Sequence, residues 1–239
     1  MIGLLVAVVL IFTAAVAGCG GSSTSATGAP SKDSATPSKP MSASTLPTEA
    51  QLQSALLQAT DLGSSFSLST AAGGTGTSSA VGCEPLASML NASAGAQERT
   101  AEVEFSGGST GPFVGETLTA EGQAALSKDY EATQVALSQC RTLSFVSGGT
   151  TLTFSLTPIH FGGSDSTAVR MDGTYQGVEV NGYLAIEKIN STALSFYFFQ
   201  VGSGSSQSAS LFDARAVAKA QRVLGGDSAA SPVSEGGKS

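Results

Sequence analysis

Charged residues are scarce in this sequence. Asp, Glu, Lys and Arg together make up 12% of its 239 residues, about half the share found in an ordinary globular protein. Only 11 residues are Lys or Arg, they form no run, and the net charge is −7. Clustered basic side chains are what bind nucleic acids and anionic lipid surfaces, so the composition argues against both. Ser, Thr, Gly and Ala take the place of charges, which predicts a hydroxyl-rich surface.

Histidine and cysteine are also rare. His160 is the only histidine, and the chain has three cysteines. Metal sites in proteins are built mainly from His, Cys, Asp and Glu at short, recurring spacings, and no such spacing surrounds His160. The sequence therefore predicts neither a metal site nor a cofactor.

A long membrane-spanning run is absent from the N-terminus, but a shorter apolar run is present. Residues 2–16 are apolar or small, which suits the core of a signal peptide and is short for a membrane span. The run ends in Val16-Ala17-Gly18-Cys19, which matches the bacterial lipobox. We expect cleavage before Cys19, acylation of its thiol, and attachment to the outer face of the bacterial cell membrane. The alternative is an ordinary transmembrane anchor with an incidental cysteine. The leader lacks Lys and Arg, so the true start of the protein can lie upstream.

The other two cysteines, Cys83 and Cys140, form an even pair in what would be an oxidising compartment. We expect them to form a disulfide, and the alternative is two buried free thiols. The composition along the chain predicts a signal peptide at 1–18 and a lipidated, disordered tether at 19–46. A single domain at 47–225 and a disordered tail at 226–239 follow.

The helical pattern predicts four helices. Thr48 and Gln51 form a capping box for a helix that runs to Leu62, and Cys83-Glu84-Pro85 starts a second one. Residues 119–140 form a long third helix. Ser210 with Asp213 opens the last helix, whose predicted buried stripe is Leu211, Ala214, Val217, Ala218 and Leu224. Residues 69–82 are predicted to be a loop.

The remaining pattern is that of strands. Ala101, Val103 and Phe105 alternate with Glu102 and Glu104, and Phe113 to Leu118 returns from a glycine turn. The run of aromatics from Phe196 to Phe199 predicts a central strand buried on both faces. Short turns favour antiparallel pairing. The sequence therefore predicts an α+β fold, a curved antiparallel sheet with helices packed on it. The other predicted strands are Leu143–Val146, Leu152–Ile159, Ala168–Tyr175, Val178–Lys188 and Ala193–Val201.

Several features together resemble a known family. They are the lipobox with its polar tether, the sequence segment from Leu56 to Leu62, and the segment 162–170 before long strands. Cys83 also lies beside a predicted short helix, and Cys140 lies at the end of a predicted long one. In this layout the chain resembles the actinobacterial lipoproteins related to the PknH-like extracellular sensor domain, the outer part of a mycobacterial receptor kinase. Another envelope-lipoprotein family with a similar α+β plan is the main alternative.

The resemblance implies a twisted sheet with helices and a cleft that holds a small ligand. Kinase-linked members carry two disulfides, whereas this chain has cysteines for one and shows no kinase domain, so the resemblance gives little support to a signalling role. It assigns no family binding residue to a position here. The weak ligand-binding candidates are His160, Asp165 and Arg170, the last two of which could pair or shape the rim of a cleft.

The nearest match to a catalytic motif is Gly107-Gly108-Ser109-Thr110-Gly111, which fits the G-x-S-x-G pattern of serine hydrolases. Asp129 and His160 would complete a triad. A nucleophile elbow needs a strand before it and a helix after it, whereas this segment joins two predicted strands. We interpret it as a glycine turn and predict no enzyme activity. Glu102 and Glu104 could form a paired-carboxylate site, although solvated charges on an outer face are the more common arrangement.

Three functions remain open at this point. The first is a non-catalytic envelope lipoprotein whose domain binds or senses a small-molecule or lipidic ligand. The second is a structural lipoprotein that presents a surface to another envelope protein. The third is a serine hydrolase. No nucleic-acid partner is expected for any of them.

Overall fold

The structure is a computed structural model that describes residues 46–69, 78–91, 99–147, 149–161 and 166–225. Cys19 and Asp165 lie outside these residues, so lipidation and any role of Asp165 stay predictions. None of the helices in the described part of the chain is both long and apolar enough to cross a membrane.

The helices are α1 (Glu49–Ala55), α2 (Ala59–Leu62), α3 (Glu84–Asn91), α4 (Gln123–Gln139) and α5 (Ser206–Leu224). The strands are β1 (Ser67–Leu68), β2 (Ser78–Val81), β3 (Arg99–Ser106), β4 (Phe113–Ala120), β5 (Thr142–Ser147), β6 (Thr150–Ile159), β7 (Ser166–Tyr175), β8 (Val178–Ile189) and β9 (Thr192–Val201).

Within the described residues these strands form one open sheet in the order β1-β3-β4-β9-β8-β7-β6-β5-β2. Every pairing is antiparallel. Tight turns such as Gln176-Gly177, where both residues have positive φ, reverse the chain between neighbouring strands. The structure confirms the predicted α+β fold, and it places β9 in the interior of the sheet as the aromatic run predicted.

Helices cover different parts of the two sheet faces. On the first, called the α5 face, α1, α2 and α5 pack over β3, β4, β9 and β8. On the second, called the α4 face, α3 and α4 pack over the other end of the sheet. The core of the α5 face is centred on Leu52, Leu57, Val114, Leu118, Tyr183, Leu194, Phe196, Phe198, Phe212 and Ala216. The core of the α4 face is centred on Leu86, Leu137, Leu143, Leu152, Phe154, Leu156, Val169, Met171 and Leu184.

Aromatic rings lie over glycines of the neighbouring strand on the α4 face. Gly115 is paired with Tyr197, Gly182 with Phe199, and Gly173 with Phe154. A Cβ atom on Gly115 would stand 1.8 Å from Cζ of Tyr197, so only glycine leaves room for this ring. The centroids of Tyr197 and Phe199 are 6.1 Å apart, and those of Phe199 and Phe154 are 5.7 Å apart. These rings form a continuous aromatic row across the sheet, and cross-strand contacts of this kind hold the register.

The edge of the sheet at β2 is fixed by two side-chain constraints. Cys83, just before α3, forms a disulfide with Cys140, the C-terminal cap of α4, as predicted. The side-chain amide of Asn91 donates to the carbonyl of Ala80 at 2.7 Å and accepts from its N–H at 2.8 Å. Asn91 therefore satisfies the outer backbone groups of Ala80, which no strand pairs.

The first predicted helix is wrong in one respect. The capping box of Thr48 and Gln51 is present, but the helix ends at Ala55 and a separate turn of helix, α2, begins at Ala59. Leu56 has an extended backbone, and the N–H of Leu57 donates to a buried glutamate of the sheet, Glu116, instead of continuing the helix. The break lets consecutive leucines reach the core.

The last helix also differs from its prediction. It starts at Ser206 with Ser205 as its N-cap, not at Ser210. Its buried stripe is therefore rotated, so that Leu211 is 49% exposed and Asp213, predicted to open the helix with Ser210, is buried in its middle. Ala214 and Ala218 are exposed as well. The predicted loop 69–82 contains the edge strand β2, and the long helix starts at Gln123 because Thr119 and Ala120 belong to β4.

We expect Gly115→Ala to destabilise the protein, because the added methyl group would displace the Tyr197 ring from the aromatic row. Overpacking of this kind costs about 1 to 3 kcal/mol, measurable by urea denaturation. The matched control is Gly122→Ala, because a Cβ there meets no atom within 4 Å. Equal losses in the two variants would show that the ring does not depend on the glycine.

We expect replacement of Cys83 and Cys140 by Ala to lower the free energy of unfolding. The disulfide closes a loop with a sequence separation of 57 residues, which corresponds to about 4 kcal/mol of chain entropy in the unfolded state. Chemical denaturation of the double variant checks this value. An unchanged midpoint, with the native protein shown to be oxidised by mass spectrometry, would contradict it.

Candidate functional site

Two of the three ligand-binding candidates from the sequence, His160 and Arg170, lie at exposed positions. His160 follows β6 and is exposed. Arg170 lies on β7 and pairs with Asp172, two residues along the same strand, through Nη2 and Oδ1 at 2.8 Å. Both side chains of this pair are more than a third exposed, so it adds little to stability. The partner of Arg170 in the described residues is thus Asp172, and a role for these residues in ligand binding stays a prediction.

The serine-hydrolase alternative lacks the geometry it needs. Ser109 lies in the turn between β3 and β4, and His160 ends β6. The sheet order places four strand spacings between β4 and β6, or roughly 19 Å at the usual spacing. A nucleophile and its base must be within hydrogen-bond reach. The segment around Ser109 joins two strands, and Gly108 and Gly111 have positive φ, so the interpretation as a glycine turn holds.

Glu102 and Glu104 share the α4 face of β3 but differ in their surroundings. Glu102 is exposed. Glu104 accepts a hydrogen bond at 3.0 Å from the hydroxyl of Tyr197, and burial raises the pKa of its carboxyl. The expectation of two solvated charges is therefore wrong for Glu104. The tyrosine of the aromatic row reaches across β4 to hold this carboxylate.

The most unusual group in the described structure is Glu116, a fully buried carboxyl on β4. Strand alternation places it between Val114 and Leu118 on the α5 face, where it is fully buried among core side chains. Its Oε2 accepts the N–H of Leu57 at 2.7 Å, in the connection between α1 and α2. Its Oε1 has no hydrogen-bond partner. Burying an ionised carboxylate oxygen without a hydrogen-bond partner costs free energy, so the protonation state of Glu116 must be considered.

Two further carboxyls lie under α5. Asp213 is buried on the inner side of α5, and its Oδ1 has no hydrogen-bond partner. Glu187 is buried on β8, on the same sheet face as Glu116. We call Glu116, Asp213 and Glu187 the buried carboxyl cluster. It lies between the sheet and α5, close to the α1–α2 connection.

The charge of Lys219 acts on Glu116, but this lysine forms its ion pair outside the cluster. Nζ of Lys219 on α5 pairs with Oδ2 of Asp61 on α2 at 2.7 Å. The same Asp61 oxygen accepts the N–H of Gln58 and caps α2. Burial opposes ionisation of Asp61, but the hydrogen bonds from Lys219 and Gln58 outweigh it and lower the pKa. The Lys219 charge is therefore committed to Asp61 and does not neutralise the cluster.

The protonation of the cluster follows from its burial. Loss of solvation raises the pKa of Glu116 to about 7, although the Leu57 N–H and the charge of Lys219 oppose the rise. Loss of solvation and the nearby charge of Glu187 raise the pKa of Asp213 to about 7. Burial and like charges are the two causes that make a carboxylic acid hold its proton near neutral pH. Glu116 and Asp213 can therefore bind and release protons close to pH 7.

Among the described residues, no three His, Cys, Asp or Glu side chains stand close enough to hold a metal ion. The sequence analysis did not predict the buried carboxyl cluster, although two sequence patterns indicate that Glu116 and Asp213 are buried. Glu116 occupies an inward position of a strand between Val114 and Leu118, and Asp213 lies inside the helical series Ala209, Phe212, Ala216 and Ala220.

Comparison with known proteins supports the fold. No protein-family model matches the chain, and no curated protein matches it either. Among solved structures, the chain is similar to the extracellular domain of PknH from Mycobacterium tuberculosis, with a TM-score of 0.53 and 14% sequence identity. The match covers 74% of this chain and 98% of that one. At this identity the likeness shows a PknH-like fold and nothing finer.

We expect the free energy of unfolding to fall by roughly 2 to 3 kcal/mol between about pH 5 and about pH 8 because of Glu116. The folded state holds this proton more tightly than the unfolded chain, where the pKa is near 4.5. The stabilisation is therefore complete below pH 4.5 and is lost as the pH rises through 7. Urea denaturation across this range measures the slope.

The Glu116→Gln variant cannot ionise and should show a flatter dependence on pH. Glu179→Gln is the matched control, because the same change is made on an exposed residue of the same sheet, on β8. It should keep the wild-type slope. A wild-type stability that rises from pH 5 to pH 8 would contradict the assignment.

Proposed function

We propose that this protein is a lipoprotein of the bacterial cell envelope whose folded domain binds or senses a ligand outside the cytoplasm without catalysing a reaction. The observation that carries the proposal is the fold, which is similar to an extracellular domain over nearly all of that domain's length. The disulfide between Cys83 and Cys140 supports an oxidising compartment. The lipobox ending in Cys19 supplies the anchor.

The absence of a catalytic arrangement in the described residues supports a binding role. Ser109 and His160 are on distant strands, and the buried carboxyl cluster is enclosed between helix and sheet, out of reach of a substrate. Small-molecule and lipidic ligands are bound in largely apolar clefts with few polar groups. His160, Asp165 and Arg170 stay the sequence-based candidates for such contacts.

A second candidate function rests on a different surface. Beyond the reach of α1 and α5, none of the described residues covers the α5 face of β5, β6 and β7, which carries mainly hydroxyl groups. Ser144 and Thr153 hydrogen-bond each other across this surface at 2.7 Å. A neutral, polar sheet face of this kind favours a structural lipoprotein that presents it to another envelope component. Its exposed or half-exposed hydroxyl residues are Thr142, Ser144, Thr151, Thr153, Ser155, Thr157 and Thr174.

Mass spectrometry of the protein from its own host tests the proposal. We expect a mature N-terminus at Cys19 that carries acyl chains, and native spectra that retain a bound small molecule or lipid. The Cys19→Ser variant is the control and should stay unacylated. An intact Met1 would overturn the anchor, and a wild-type spectrum with a co-purifying envelope protein in place of a ligand would favour the second candidate.

A further inference from the structure

The α1–α2 segment, residues 46–62, is the first part of the described domain and is held over the buried carboxyl cluster. Leu52, Ala55, Leu56, Leu57 and Leu62 bury their side chains against the α5 face. The carbonyls of Leu46 and Pro47 accept hydrogen bonds from Arg99 on β3. The N–H of Leu57 donates to Glu116. Glu116 on the sheet therefore holds the α1–α2 segment through Leu57, in the connection between α1 and α2.

The charges that act on Glu116 are those of Lys219, Asp61 and Asp213, and further charged groups lie near these three. From α5 come Asp213, Lys219, Arg215 and Arg222; from β8 comes Glu187; and from α2 comes Asp61. Lys219, Arg215 and Arg222 are directed to Asp61, through its side chain, its carbonyl and its charge respectively. The inner side of the interface thus holds acids and the outer side holds bases.

The stability of this packing depends on whether the carboxyls of Glu116 and Asp213 are protonated. With Glu116 and Asp213 protonated, neither adds a negative charge beside Glu187, and the apolar packing of the segment is undisturbed. With both ionised, two buried oxygens without hydrogen-bond partners, Oε1 of Glu116 and Oδ1 of Asp213, become parts of anions that need water or a cation. Solvation then requires one of the covering elements to move.

Of the elements that cover the cluster, the α1–α2 segment has the shortest helices. Its helices contain 7 and 4 residues, whereas α5 contains 19. The strands that carry Glu116 and Glu187 are paired on both sides inside the sheet. Short helices with few backbone hydrogen bonds open at lower free energy than a long packed helix or a central strand.

We propose that the α1–α2 segment is a proton-controlled latch, which Glu116 and Asp213 hold closed when protonated and release when they ionise. The high pKa of both carboxyls supports this role. Release would change the path by which the chain N-terminal to residue 46 leaves the domain, and would expose an acidic recess to water or cations. The latch goes beyond the proposed function and does not depend on acylation of Cys19.

Hydrogen–deuterium exchange on the full-length chain in detergent tests the latch. We expect the amides of residues 49–62 to lose protection at least about tenfold between about pH 5 and about pH 8, after correction for the chemical exchange rate. Amides of β8, β9 and α5 should keep theirs. Glu116→Gln should keep the segment protected at both pH values, and Glu179→Gln, a change on an exposed residue of β8, should behave as wild type.

Three results would overturn the latch. The first is wild-type protection that does not change with pH, and the second is a Glu116→Gln variant that opens as the wild type does. The third is loss of protection in all elements together, which would mean global destabilisation without a local release. If Glu116→Gln does not fold, the carboxyl carbon of Glu116 can be titrated by NMR in the wild type. A midpoint near 7 that coincides with opening of the segment supports the proposal, and one near 4.5 sinks it.

Discussion

The hydrogen bond from the N–H of Leu57 to the carboxyl of Glu116 constrains much of this structure. It diverts the chain out of α1, so that Leu56 and Leu57 both reach the core, and it fixes where α2 begins. It also places an ionisable group where water does not enter. A net hydrogen bond contributes about 1 kcal/mol, whereas ionising a buried carboxyl costs more, so the protonation state decides whether this arrangement is favourable.

The sheet serves different purposes at its two ends. At β3, β4 and β9 the α5 face holds the leucine-rich segment and the carboxyls, while the opposite face carries the aromatic row that begins at Tyr197. Toward β5 and β6 the helical cover is on the other face, and hydroxyl groups face outward. A hydroxyl-rich surface was predicted from composition, but its concentration on one part of one face depends on which half of the sheet each helix covers.

Strands were predictable because alternation is a local property. Residues 178–188 were predicted as a strand and belong to β8, which differs by one residue at its end. Helix phase was less predictable, because Ser205 and Ser210 are both acceptable N-caps and only tertiary packing selects between them. Local propensity could not predict that Leu57 leaves the helix, since its hydrogen-bond partner Glu116 is 59 positions away in the sequence. The same long-range contact explains why the buried carboxyl cluster was missed, although the inward register of Glu116 was readable.

The two hydrogen bonds between Asn91 and Ala80 affect how neighbouring copies of the protein can interact. β2 is the last strand at its end of the sheet, and an unpaired strand there is a template on which a second molecule can add its own backbone. The carboxamide fills the sites that such an incoming strand would use. If the protein is tethered to a membrane as proposed, its molecules share a plane and meet often. A single asparagine would then help keep these neighbours from joining their sheets into a fibre.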